Sequence, residues 1–269
     1  MLFGRIVIFL FLTILTQIGG LVYLASFVSD HYVDKYFKSR LGRWTLKLTA
    51  FLFIYLICTF FIVPPLANIF GRVPLPMTGE LKPLNKLTWF LNRQYVHPKA
   101  KELLIESTQE LKVKFPEVSV NYLDANFPFL NKFPLAPHLS HNDGKKVDIA
   151  FFYTDKKGEY VDGAPSSIGY GVYEKPRNTE VNLPDVCAKK GYWQYSLIGK
   201  FISQKSKGDY VFDATKVAAF ISILCKSPLT QKVFIEPHLK DRMRLEYSKI
   251  RFHGCQAVRH DDHIHLQIN

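Results

Sequence analysis

Two clusters of metal-ligating side chains stand out in this chain, far apart in sequence. The last ten residues hold His260, His263 and His265, and the last two form a His-x-His pair. In an extended strand, side chains alternate faces with a period of two. His263 and His265 then point the same way, and Ile264 points the other way. Neutral imidazole is the commonest zinc donor, so a same-face pair suits a metal. The competing reading is a pair of exposed histidines in a terminal strand. The second cluster runs His138-Leu139-Ser140-His141-Asn142-Asp143-Gly144-Lys145-Lys146-Val147-Asp148. Gly144 permits a sharp turn, and Asp148 lies near the start of the strand that follows. A loop doubling back there brings His141 beside Asp148. With one terminal histidine they make three nitrogen and oxygen donors. Three protein donors plus water is the catalytic zinc pattern, whereas structural zinc is closed by four donors, often cysteine.

Together the blocks resemble the LAS metallopeptidases, a group of lysostaphin-type enzymes, D-Ala-D-Ala peptidases and the hedgehog signalling domain. Within it the chain is most similar to penicillin-insensitive murein endopeptidases. His138 to Asp148 matches their His-x-Ser-His-x-x-Gly-x-x-x-Asp form, and His260, His263 and His265 match His-x-x-His-x-His. Val233-Phe234-Ile235-Glu236-Pro237, with Leu239-Lys240, is similar to the strand and helix start before their second block. The likeness covers residues 118–269, with gaps. It implies Zn2+ held by His141, Asp148 and His265, with His138 at the rim or as a further ligand. It implies His263 beside the zinc-bound water as base or transition-state stabiliser, and His260 as an auxiliary catalytic group. The implied activity is a zinc metallopeptidase that cuts amide bonds in peptidoglycan stem peptides or cross-links by attack of zinc-bound water. Murein endopeptidase and D-Ala-D-Ala carboxypeptidase types both fit. The alternative is a non-catalytic zinc-containing envelope module that binds wall peptides or a protein partner. Lys146 departs from the acidic or small residue often found there, and no counterpart of a second, peripheral metal site is identifiable. No Glu lies near the terminal block, so the His-Glu-x-x-His arrangement does not apply.

The remaining candidates read more plainly. His31, His97, His238 and His253 are expected to be surface or structural residues. Asp143 shapes the turn. Asp261 and Asp262 either orient ring nitrogens or are solvated acids. Tyr192, Trp193 and Tyr195 read as core or rim packing before a substrate groove.

The elements that carry this chemistry follow a different N-terminal region. Ile6 to Val28 and Leu48 to Gly71 are uncharged stretches of 23 and 24 residues, each long enough for the hydrocarbon core. They predict a membrane hairpin of two transmembrane helices over residues 1–75, followed by a linker over 76–98 and a zinc peptidase-like domain over 99–269. The first stretch also has the start of a signal peptide in Arg5, but no clear cleavage site. Lys35, Lys38, Arg40, Arg43 and Lys47 place the connector in the cytoplasm. Two crossings then put the N-terminus and the C-terminal domain outside, periplasmic or extracellular, on a cell (inner) membrane. The chain carries a formal +12. Its first 75 residues hold seven basic and two acidic groups, a net +5 that leaves +7 for the rest. The expected partners are the lipid bilayer and a peptidoglycan peptide; nucleic acid is a poor match for a domain outside the membrane.

The domain reads as α+β, a small antiparallel sheet with flanking helices carrying the zinc site. Strands are expected at Val118–Leu123, Val147–Tyr153, Lys232–Glu236 and His263–Ile268. Helices are expected at Lys99–Lys114, at Ala214–Lys226 behind an Asp213 cap, and from Leu239 to about Lys249. Thr154–Pro184 is Gly-, Pro- and Ser-rich and reads as a long loop, open to motion. An oxidising compartment permits one disulfide among Cys187, Cys225 and Cys255; Cys58 reads as packing.

Overall fold

The computed structural model describes residues 2–269, the side chain of His31 excepted. Its centre is a six-stranded sheet formed by β1 (Leu81–Pro83), β2 (Val120–Tyr122), β3 (Lys146–Ala150), β4 (Thr230–Phe234), β5 (Ile250–Arg251) and β6 (His263–Ile268). The order is β5-β4-β6-β3-β2-β1. The four middle strands are antiparallel, and a parallel strand closes each edge. This is the expected α+β class with a small antiparallel sheet at its heart.

One face of the sheet makes the core. Val147 and Ile149 of β3 and Ile264, Leu266 and Ile268 of β6 alternate onto that face and are buried. Two helices cover them, α5 (Pro98–Lys114) and α6 (Ala214–Lys226). In α6, Val217, Phe220, Ile221 and Leu224 follow the i, i+3, i+4, i+7 spacing that puts apolar groups on one stripe, and all four are buried. The Asp213 carboxylate accepts from Lys216 N at 3.0 Å and fixes its first turn. His97 caps α5 in the same way, accepting from Lys99 N. Each fully buried Leu, Ile or Phe here contributes about 1.5–3 kcal/mol. The other face of the sheet carries His263 and His265 and is covered by loops.

The N-terminal region departs from the expected pair of spans. The first apolar stretch is two helices, α1 (Leu2–Thr16) and α2 (Gly19–Tyr36). Gln17, at φ +67, turns the chain back between them. The helices then pack so closely that a Cβ on Gly20 would meet Thr13 Oγ1 at 2.0 Å, which only glycine tolerates. At 15 residues, α1 is about 22 Å long, short of a 30 Å hydrocarbon layer. The hairpin returns Arg5 to the end where Phe27 lies, 4.8 Å from its ring. The same end holds Asp34 and Lys47, paired at 2.7 Å. The N-terminus thus lies with the basic connector and not across from it. Among the described residues, one helix is long and apolar enough to cross a membrane, the 30 residues Arg40–Ile69. It comprises α3 (Arg40–Ile57), a π-helical turn (Cys58–Ile62) and a final segment (Val63–Ile69) that passes through Pro64 and Pro65.

Three smaller expectations are also corrected. The expected linker 76–98 is part of the fold: β1 joins the sheet edge, and α4 (Leu87–Phe90) packs nearby. The helix expected from Leu239 to Lys249 is the shorter Pro237–Arg242, stopped where Arg244 takes φ +53. The loop 154–184 packs onto the sheet, with Tyr170, Val172 and Tyr173 buried. Cys187 and Cys255 form a disulfide, and Cys225 is free and buried.

Candidate metal centre

Strand register builds the site. β6 pairs with β3 so that His265 lies opposite Asp148 and His263 opposite Ala150. Directly opposed residues share a face, so Asp148 joins the two histidines on the loop-covered side. Ile264 opposite Ile149 goes to the core. The turn at Gly144, at φ +80, lets the upstream loop fold back. Its N–H donates to Asn126 Oδ1 at 3.0 Å, and Asp143 accepts from Lys145 N at 2.9 Å. His141 and His138 are thereby delivered over β3.

The donor atoms converge on one point. His141 Nδ1 lies 2.7 Å from Ala125 O, so that nitrogen donates and Nε2 is the one turned to Asp148 and His265. His141 Nε2 is 3.2 Å from Asp148 Oδ1 and 3.2 Å from His265 Nδ1. His265 Nδ1 is 2.8 Å from the same carboxylate oxygen. Asp148 Oδ1 is buried and has no hydrogen-bond partner. His141, Asp148 and His265 form one group able to hold a metal ion, their donor atoms all within 4.8 Å. Two overlapping sets share its members: His138, Asp148 and His263, and His260, His263 and His265. His138 Nδ1 is 3.1 Å from the other carboxylate oxygen, Asp148 Oδ2. All six side chains are buried.

Electrostatics match a cation. Burial opposes charge on Asp148, but the histidines around it outweigh that and hold its carboxyl well below the usual range. Burial also pulls His265 down to about 4 and His138 and His260 well below the usual histidine value. Asp148 is thus a carboxylate and His265 and His138 are neutral imidazoles, the protonation states metal binding requires. His263 is different. Burial lowers its basicity, yet Asp148 and Asp262 overcome this and raise it to about 9. Asp262 Oδ1 lies 2.5 Å from its Nδ1. Its Nε2 faces Asp148 Oδ1 at 3.6 Å and has no hydrogen-bond partner.

A further ring of residues supports these, and the sequence reading missed part of it. The Tyr170 hydroxyl donates to Asp148 Oδ2 at 2.9 Å, and its ring lies 4.5 Å from His138. Tyr170 comes from the loop 154–184, where no periodic signal marks it. His253 stacks on Phe234 at 4.3 Å and lies 5.3 Å from His260; it is exposed, as expected of a surface residue, and borders the site. Asp261 and Asp262 are buried and partnered rather than solvated. Asp261 is gripped by Arg259, whose Nε donates at 2.9 Å. His238 Nε2 donates to Glu174 O at 2.8 Å, and the residue is structural. Tyr195 is buried and Trp193 exposed. The Cys187–Cys255 bond ties the covering loop to the segment that leads into β6.

No protein-family model matches the chain, and no curated protein matches it.

Proposed function

We propose that this chain is a membrane-anchored zinc peptidase that hydrolyses amide bonds in peptidoglycan stem peptides or cross-links. One observation carries the reading: register and turn bring His141, Asp148 and His265 edge to edge with an unpartnered carboxylate oxygen between them. The donor set, imidazole and carboxylate without thiolate, fits zinc of the catalytic kind. The wall substrate rests on the likeness of the two motif blocks, and an outward domain rests on the basic end of the apolar helix.

When bound, zinc supplies Lewis acidity at the scissile carbonyl and lowers the pKa of a coordinated water to about 7. His141, Asp148 and His265 would hold the ion, with His138 able to join them. Asp262 pins His263 by Nδ1, which aims Nε2 at the centre. There His263 takes the proton of the attacking water and gives it to the leaving nitrogen. The C–N bond breaks, the water oxygen stays on the acyl carbon, and the amine leaves. His260 packs 5.0 Å from His263 and limits its motion.

The full-length protein, in detergent with purified peptidoglycan, is expected to release new amine ends and to stop on chelation. Absence of both amine ends and bound metal would sink the proposal. The deep burial of every donor, with His138 available to close a fourfold shell, favours one second reading, a zinc-holding module without turnover. His263→Ala separates the two. An enzyme loses rate and keeps its metal, whereas a module keeps both its metal and its affinity for wall peptides.

A further inference from the structure

The apolar helix and the metal centre share a wall. Along Arg40–Ile69, Tyr55, Thr59, Val63 and Ala67 are buried, a four-residue spacing that marks one helix face over about 18 Å. The α1–α2 hairpin, through Thr16, Ile18 and Val22, and the domain together cover that face. The Tyr55 hydroxyl donates to Phe90 O at 2.5 Å, and Asn92 Nδ2 donates to Tyr55 Oη at 3.0 Å and to Thr59 Oγ1 at 3.3 Å. Phe60 stacks on Trp89 at 6.0 Å. Other positions on this helix, Phe53, Leu56, Phe61, Ile62 and Leu66, are exposed. Counted from Lys47, the last charge before the apolar run, a 30 Å layer takes about 20 residues. Tyr55 to Ala67 falls inside it. A domain raised on a stalk would leave Thr59 facing lipid. Here α4 and the residues after it lie against the helix along that stretch.

The same short helix lines a cavity of about 180 Å³ on its other side, with Leu87, Leu91, Leu123, Ile168, Ile198 and Tyr170 in the wall. Leu87 and Ile168 are exposed and mark its mouth. Its charged members Arg93 and Asp124 are paired with each other at 3.0 Å, and Asn85 and Thr88 add to its polar lining. Tyr170 is the partition: its hydroxyl bonds Asp148, and its ring lies 5.0 Å from His263. One aromatic ring therefore separates this cavity, lined by the helix that packs on the apolar span, from the candidate metal centre.

We infer that this centre acts on an amphiphile presented by the bilayer, whose polar head brings the amide to the metal while the first methylenes of its apolar chain enter this cavity past α4. The inference rests on the proposed membrane-anchored zinc peptidase and names the form in which its substrate arrives.

The test uses full-length protein in phosphatidylcholine vesicles that contain a single-chain N-acyl dipeptide with a diazirine in the acyl chain. After irradiation, labelled positions are mapped by mass spectrometry. Labels are expected both on the lipid-exposed helix, at Phe61 or Leu66, and in the cavity, at Leu87, Leu91 or Ile168. A buried methylene is worth a factor of about four in binding, so Ile168→Trp, which narrows the mouth, is expected to lower cavity labelling about tenfold. Helix labels and bound metal stay unchanged in that variant. Labels confined to the helix overturn the inference and leave membrane anchoring standing. Labels at neither place overturn anchoring, and the inference falls with it. Cavity labels in a protein that binds no metal support the apolar ligand and overturn the zinc reading.

Discussion

Asp148 lies between four histidines, and its charge state organises all of them. Together with Asp262 it raises His263 to about 9 against the effect of burial. A cation on Asp148 competes with the His263 proton, so metal binding releases protons. Affinity is expected to rise with pH up to about 9, and calorimetry in buffers of different ionisation enthalpy should show proton release near pH 7.5. Affinity that is flat between pH 6 and 8 would contradict this. Asp262→Asn removes the group that orients His263 but no donor. It is expected to keep the metal and lose about 10–100-fold in rate, whereas His265→Ala loses the metal. The His-x-His pair was legible in sequence because strand alternation alone fixes which side chains share a face. Asp148 was legible because a glycine turn precedes a strong strand. Tyr170 and His253 were not, because they arrive from loops whose path depends on tertiary packing.

At the scale of elements, the site depends on what pins the loop cover to the sheet. The Cys187–Cys255 bond closes a 68-residue separation. Replacing both with serine is expected to cost about 2–4 kcal/mol, read as a fall of about 5–15 °C in thermal midpoint. An unchanged midpoint would show that the cover is held by packing alone. A second clamp joins the short helix Pro237–Arg242 to the covering loop, where Arg242 grips Glu180 at 2.9 and 2.6 Å. That hydrogen-bonded pair lowers Glu180 from 4.5 to about 2. A depressed carboxyl stabilises the fold above its unfolded value and loses that contribution as pH falls toward the folded one. Stability should drop between pH 4.5 and 2, and Glu180→Gln should flatten the drop by about 0.5–1 kcal/mol. Helix α6 was readable to the residue from its cap and apolar stripe. The hairpin at Gln17 was not, since an uncharged run carries no period that marks a turn. β1 was hidden because three residues ending in proline read as linker.

For the whole molecule, Arg5, Lys47 and the connector share one end, and the domain docks along the other half of the single long apolar helix. The arrangement predicts an N-terminus and a C-terminal domain on opposite sides of the bilayer. In sealed right-side-out vesicles, external protease should digest the domain and spare an N-terminal tag; the reverse pattern would overturn the topology. The two-span expectation failed because hydropathy counts residues and does not see close packing of Gly20 on Thr13.

The most direct test of the central claim is amine release from peptidoglycan by full-length protein of known zinc content, wild type beside His263→Ala. The account predicts zinc in both proteins, chelator-sensitive release by the wild type, and a loss of about 10²–10⁴-fold in the variant. Zinc in both with no release from either would contradict it.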